Sequence, residues 1–452
     1  MDSKSSSSQV RPRIIIHGGA GNITRKNLSP QNYEIYRTTL LSILRKSYAL
    51  LQTPGATALD VATAAVTQLE NNPLFNSGHG AVYTTHGSHE LEASVMVSRG
   101  SVKRGVGLMR MNHVKNPIRA AREMLLRGQD ADGGGARGHC QLEGEELEKL
   151  ARDWGCEMVE PSYFWTKKRW DEHRRGLGLS TGRDEYEEGK RKAGEHKCES
   201  EEDLVRQAWS DHAAPSDPSW DGDEYLPQGT VGCVVLDGTG TLCVATSTGG
   251  ITNKVPGRIG DTPTLGAGFW AEEWTQENPF DTPRGLNYQS LPSRPQIQSP
   301  LTQLLGGQVR DVLTDCLPQL STYLPLPAQT EDETEKSSAI TLPHGVAMSG
   351  TGNGDSFLRL SAVRTAAAMT RFSSSPLPLQ WSVSRVAGPQ GMLQQSAAER
   401  WHKTGEGEGG IIGIELRHGR GHICYDFNCG GMFRTWIDDH GAERMMVFHD
   451  EY

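Results

Sequence analysis

The sequence predicts a mixed α+β fold that is interrupted twice by long stretches of weak order. Three observations lead there. Apolar residues recur at spacings of three and four in several segments, the mark of amphipathic helices. Elsewhere, short β-branched runs stop at glycine turns, as strands do. Between these segments lie two tracts rich in charge, Ser, Pro, Thr and Gln that follow neither period.

Each element can be justified in order. The opening MDSKSSSSQVRPR offers Ser and Arg but no apolar core of the roughly 7 to 15 residues that a secretory signal needs, so residues 1–12 read as a disordered cytosolic arm. Arg13 to Ile16 is a β-branched strand feeding a glycine loop, His17-Gly18-Gly19-Ala20-Gly21. Ser29 and Pro30 supply an N-cap and a first-turn proline for a helix whose stripe is Tyr33, Tyr36, Leu40, Leu44, Tyr48 and Leu51. Thr57 with Asp60 resembles a capping box, and Leu59, Ala62, Val66 and Leu69 make the stripe of a second helix packed on the same sheet face. Ala81 to Tyr83, Leu91 to Val97 and Val106 to Met111 read as antiparallel strands, followed by helices at Pro117 to Leu126 and Gly144 to Trp154.

Residues 13–170 thus form the first half of a domain, and 171–229 a flexible linker. Order resumes at Gly229-Thr230-Val231 with strands to Asp237 and from Thr241 to Thr246. Residues 272–343 form a low-complexity insertion with one helix near Gln308 to Leu317. The second half comprises 230–271 and 344–452: a glycine loop and helix over Ser349 to Met369, then alternating strand and turn from Gly410 to Phe448.

Composition narrows the function. Of 452 residues, 46 are Lys or Arg and 55 are Asp or Glu, a formal charge of −9, so no basic field favours nucleic acid or anionic lipid. No apolar run approaches the roughly 18 residues of a membrane span. The expected partners are therefore a small molecule or dipeptide, with no nucleic acid and no membrane, and the expected location is the cytoplasm. Eight cysteines lack CxxC spacing and neighbouring His pairs, which signals reduced thiols.

Several loops could bear chemistry, and each has an ordinary reading as a turn. His17-Gly18-Gly19 lacks the Gly-Lys-Ser/Thr ending of a phosphate loop, and Gly350-Thr351-Gly352-Asn353-Gly354 matches a nucleotide loop by composition alone. Thr230 is different: a hydroxyl residue that follows a polar tract and opens a strand. If the Gly229-Thr230 bond is cut, Thr230 gains an α-amine with a pKa of about 7.7 to 8.0, near enough to neutrality to act as a base. A threonine hydroxyl needs such activation to attack. A residue that merely begins a strand fits the position equally well.

The blocks IIIHGGAGNI, LENNPLFNSGHGAVYTTHGSHELEASVM, GTVGCVVLD, ATSTGGITNKVPGRIGDTPTLGAGFWAE, SGTGNGDSFLR and YDFNCGGMFR resemble, in order, the plant-type asparaginase or isoaspartyl peptidase family of N-terminal nucleophile hydrolases. The resemblance implies a four-layer αββα sandwich, made as a precursor that cuts itself between Gly229 and Thr230. It implies Thr230 as nucleophile, Thr248 orienting it, Thr351 and Gly352 as oxyanion donors, and Asn76 beside the nucleophile in support of autocleavage. Arg258 would grip a substrate α-carboxylate, while Asp261 and the Gly352 carbonyl would hold its α-ammonium. Main-chain carbonyls of Leu69, Glu70, Asn72, Phe75, Ser77 and His79 would bind a structural sodium ion. No cofactor is implied for catalysis, and the implied assembly is a homodimer of two-chain protomers.

The implied activity is hydrolysis of L-asparagine or β-aspartyl dipeptides through an acyl-enzyme on Thr230. Alternatives are a threonine aspartase-like endopeptidase and a non-cleaving scaffold of the same fold. One block departs from the family: Asp-Ala-Ser-x-Met-Asp-Gly is the usual pattern, and here Glu92-Ala93-Ser94-Val95-Met96-Val97-Ser98 stands in its place.

Overall fold

A computed structural model describes residues 10–102, 104–179, 229–275, 343–373, 375 and 377–452. Among these, β1 (Arg13–Gly21), β2 (Leu91–Val97), β3 (Gly105–Met111), β4 (Gln141–Glu143), β5 (Val231–Leu236), β6 (Leu242–Thr248), β11 (Gly431–Ile437) and β12 (Glu443–Met446) form one sheet, ordered β12-β11-β1-β5-β6-β2-β3-β4. A second sheet is ordered β10-β9-β8-β7, from β7 (Phe269–Thr275), β8 (Pro343–Gly352), β9 (Gly409–Arg417) and β10 (Arg420–Phe427). Neighbours are antiparallel except β3 and β4.

The apolar run in β1 shows why these strands lack simple alternation. Ile14 and Ile16 face one way, into a cluster with α1 (Pro30–Leu51), α2 (Ala58–Glu70) and α3 (Pro117–Arg127), through Leu40, Leu44, Val66 and Met124. Ile15 faces the other way, into a cluster with Val234 and Val244 of its own sheet and Phe269, Ala347, Ile412 and Ile414 of the second. A strand buried on both faces needs apolar residues at consecutive positions. A third cluster joins Val346, Met348 and Ile411 of the second sheet to α7 (Ala362–Phe372) and α8 (Leu379–Ala387), through Val363, Ala366, Val383 and Val386. The remaining helices are α4 (Gly144–Asp153), α5 (Lys167–Gly176), α6 (Gly354–Leu360) and α9 (Met392–Ala397).

The two N-caps read from the sequence, Ser29 and Thr57, both accept backbone N–H groups. Ser29 Oγ accepts from Asn32 N at 3.2 Å, and Thr57 Oγ1 accepts from Asp60 N at 3.1 Å while donating to Asp60 Oδ2 at 2.6 Å. Several expectations need correction. The glycines after His17 continue β1, because a bulge between His17 and Gly19 lets pairing with β11 resume. Likewise Gly350 to Gly352 are ladder residues of β8, paired with β9, and the helix begins only at Gly354. Residues 81–83 are not a strand; Val82 N is taken by the Asn76 side chain instead of a ladder partner. Helix α5 reaches into the stretch assigned to the linker, and β7 runs to Thr275, inside the stretch assigned to the insertion. In both cases a capped or paired backbone outweighs polar composition. The helix expected near 308–317, and most of the linker and insertion, lie outside the described residues. Among the described residues no helix is long and apolar enough to cross a membrane.

Registers place the site. Val231 of β5 pairs with Ser247 of β6, so Thr230 reaches the level of Thr248, and Thr248 pairs with Glu92 of β2. Three neighbouring strands therefore bring Thr230, Thr248 and Glu92 to one end of the larger sheet.

Candidate active site

Thr230 is the residue immediately before β5 and is buried. Its Oγ1 lies 2.8 Å from Thr262 Oγ1, and its carbonyl accepts from Thr351 Oγ1 at 2.9 Å. Thr351 Oγ1 in turn accepts from Ala20 N at 3.1 Å. Close by, His17 Nε2 sits 2.6 Å from Ser349 Oγ. Burial pulls the His17 imidazole down to about 3, against the opposing pull of a hydrogen bond to the Thr230 backbone, so this ring is neutral at physiological pH.

The residue before the nucleophile candidate has no room for a side chain. A Cβ on Gly229 would collide with Thr351 Oγ1 and lie 2.9 Å from Gly352 N and 3.0 Å from Ala20 O. Gly352 has a φ of 139°, and a Cβ there would collide with the Glu408 carbonyl and with Gly409. The Gly229-Thr230 bond is thus pressed between β1 and the end of β8.

Thr248 and Asn76 stand on the other side. Thr248 Oγ1 accepts from Gly250 N at 3.0 Å, holding the turn that follows β6. Asn76 clamps that turn, with Nδ2 donating to Gly250 O at 2.7 Å and its own carbonyl accepting from Gly249 N at 3.1 Å. Thr230, Thr248, Gly352, Arg258, Asp261 and Glu92 all line one small pocket.

The pocket's charges are deeply placed. Arg258 Nη2 donates to Asp355 Oδ2 at 2.9 Å, and Arg258 Nε is buried without a hydrogen-bond partner among the described residues. Asp261 Oδ2 is in the same condition. Burial pushes the Asp261 carboxyl up to about 7; Arg258 opposes that rise and Glu92 adds to it. Unpaired buried donors and acceptors around a void are costly unless something fills it.

The family model described as "Asparaginase" matches residues 10–276. The chain belongs to the asparaginase family. It is 38% identical over 258 residues to an isoaspartyl peptidase of Salmonella typhimurium (57% of this chain, 69% of the relative). With the isoaspartyl peptidase of Escherichia coli it shares 37% over 259 residues (57% and 67%), and with a plant-type L-asparaginase of Pyrococcus furiosus 34% over 260 residues (58% and 70%). As a member of the asparaginase family it is a hydrolase.

Within this asparaginase-family chain, Gly229, Thr230, Thr248, Arg258, Asp261 and Gly352 line one pocket, while Thr351 and Asn76 hydrogen-bond residues that line it, and the Thr230 hydroxyl meets Thr262 in place of the expected Thr248. Sequence reasoning gives no role to two further residues of the site. Thr262, which bonds the Thr230 hydroxyl, stands beside Asp261 in the GDTP block, and its polar side chain next to an expected anchor was the available signal. Glu92 drew notice only as a departure from the family pattern, yet it reaches the pocket itself.

The Leu69–His79 loop is closed by its own backbone hydrogen bonds. Leu69 O, Asn72 O, Phe75 O and Ser77 O each accept one backbone N–H, from Asn72, Phe75, Ser77 and Gly80 at 3.2, 3.3, 2.9 and 3.1 Å. Each carbonyl has a second lone pair. A Cβ on Gly78 would collide with Glu70 O, and one on Gly80 with Phe75 O.

The Glu70 side chain has a separate task. Oε1 accepts from Ile118 N at 2.9 Å, in the first turn of α3, and burial pushes the carboxyl from 4.5 up to about 8. A raised acid favours the folded state fully below pH 4.5, and that contribution is lost as pH rises through about 8. Glu70→Gln should therefore flatten the stability profile across this window, by several kcal/mol at about 1.4 kcal/mol per pKa unit. Urea melts at pH 5 and 8.5 check it: equal slopes of stability against pH in both proteins would refute the assignment.

Proposed function

We propose that the protein is an autoprocessing threonine amidohydrolase that cleaves the side-chain amide of L-asparagine and the β-linkage of β-aspartyl dipeptides. The observation that carries this reading is the pairing, in one pocket, of the Thr230 hydroxyl with buried unpartnered atoms of opposite charge on Arg258 and Asp261. A free α-amino acid head carries an anion and a cation that match them.

In the precursor, Thr230 Oγ1 attacks the Gly229 carbonyl carbon, the bond to Thr230 N breaks, and water hydrolyses the resulting ester. The freed α-amine then serves as base. It takes the Oγ1 proton as oxygen bonds to the substrate's side-chain carbonyl carbon, and passes that proton to the departing ammonia or amino acid. The developing oxyanion is met by donors from Thr351 and Gly352. Thr248 and Asn76 hold the turn beside the nucleophile. Water enters the acyl ester with the amine again as base, releasing aspartate. Carbonyls of the Leu69–His79 loop would hold a sodium ion that fixes this loop and takes no part in the chemistry. We further infer that the three apolar clusters correspond to an αββα arrangement of four layers, which Gly229 and Thr230 enter at the sheet ends.

The test is product analysis. Purified protein should release ammonia from L-asparagine and aspartate from β-aspartyl dipeptides, and leave intact a longer peptide with an internal α-linked Asp. Neutral peptide groups in place of a charged amino-acid head would leave Arg258 Nε and Asp261 Oδ2 without charged partners, at a cost of several kcal/mol. Efficient cutting at the internal Asp, with no ammonia from asparagine, would reassign the protein as an endopeptidase.

A further inference from the structure

The third charged group lining the pocket is unaccounted for by the reading above. Glu92, fully buried on β2, spends Oε1 on Gly260 N at 2.9 Å, while Oε2 has no hydrogen-bond partner among the described residues. That oxygen and Arg258 Nη1 border the same small space, 3.0 and 2.8 Å from where a Cβ on Gly260 would stand. Arg258 Nη2 and Asp261 Oδ1 both lie close to Gly354. Glu92 Oε2 and Asp261 Oδ2 are thus two unused carboxylate oxygens near one guanidinium.

We propose that Glu92 is a specificity-determining residue whose Oε2, with Asp261 Oδ2, forms a two-carboxylate seat for the substrate's α-ammonium. The inference rests on the amidohydrolase reading. An ammonium has three donors and no acceptor, so a buried one needs three acceptors. Asp261 and the Gly352 carbonyl offer two, and Glu92 completes the set. Charge balance agrees. Lys254, buried with Nζ donating to Glu90 O at 2.6 Å and lying 2.8 Å from where a Cβ on pocket-lining Gly250 would stand, offsets the second carboxylate. With Asp355 beside Arg258, three carboxylates stand against one guanidinium and one ammonium, an excess of negative charge that suits a guest's ammonium. An aspartate side chain at position 92, one methylene shorter, would hold Oε1's place against Gly260 only by giving up reach into the pocket. A substrate without the α-amine leaves two carboxylates facing an empty seat.

Competitive inhibition by L-aspartate and by succinate, which lacks the amine, measures the seat directly. The processed wild-type enzyme should prefer L-aspartate, and Glu92→Gln should shrink that preference about tenfold or more, the scale of one charge-assisted hydrogen bond. Glu92→Asp should shrink it as well, and two-chain processing reports that either variant folds. KM for a β-aspartyl dipeptide should rise in parallel. If wild type hydrolyses the dipeptide and both variants keep the wild-type preference for L-aspartate over succinate, the Glu92 seat is wrong and the amidohydrolase reading stands. If wild type neither hydrolyses the dipeptide nor binds L-aspartate, both are wrong.

Discussion

Thr230→Ala should leave the chain whole and inert. Denaturing electrophoresis would show one species at 49.4 kDa, where the wild type should give fragments of 229 and 223 residues, the latter being 452 minus 229. The reason lies in what the substitution removes: the attacking oxygen for the precursor bond and, with no cut, the α-amine that would act as base. Both steps fail together, so residual hydrolysis should fall on the order of 10⁴-fold or more, as when a nucleophile is deleted. Folding should survive, because β5 pairs on both sides through residues after Thr230. N-terminal sequencing of the smaller wild-type fragment should read Thr-Val-Gly-Cys. A Thr230→Ala chain still cut at Gly229 would remove this residue from the mechanism.

Arg258→Ala should give the opposite pattern, normal processing with hydrolysis largely lost. The guanidinium faces the pocket and Asp355, and makes no hydrogen bond to Gly229 or Thr230. Truncating one partner of a buried charge pair costs about 2–5 kcal/mol, so kcat/KM should drop roughly 10²- to 10³-fold, mostly through KM. The same substitution should move the pH profile. Ammonium binding requires ionised Asp261, whose carboxyl burial already lifts to about 7 and which Arg258 restrains from rising further. Wild-type kcat/KM should therefore fall as pH drops through about 7, and this acidic limb should shift upward in Arg258→Ala. An unmoved limb in the variant would mean that Asp261 does not control it. His17, pulled down to about 3, is no candidate for that limb.

Much of this site could be read in the chain because its parts are local. Caps at Ser29 and Thr57 act within three residues, and Thr230 announces itself by the strand that follows. The readings that failed depended on distant partners. Gly18 to Gly21 and Gly350 to Gly352 look like loops in isolation, and become strand only because β11 and β9 lie alongside. Thr262 is an ordinary hydroxyl until the fold sets it 2.8 Å from Thr230 Oγ1, across 32 positions of chain. Glu92 is harder still. Its place in a strand buried on both faces argues for an apolar residue, and only the pocket beyond the β2 terminus explains a carboxylate there.

The interleaving of the larger sheet has a further consequence for a protein cut before Thr230. Strands β1 to β4 would then belong to one fragment and β5, β6, β11 and β12 to the other, alternating so that three of the seven neighbouring pairs, β11/β1, β1/β5 and β6/β2, join different fragments. Neither fragment can leave without breaking ladders in the middle of the sheet, so the cut protein persists as a unit. Its refolding, however, changes reaction order. A connected chain holds its two halves at an effective concentration near the millimolar range, and separate fragments must find each other at whatever concentration the solution provides. Processing would therefore make unfolding nearly one-way at low protein concentration: the precursor can renature by itself, whereas the mature enzyme carries its stability in the slowness of coming apart.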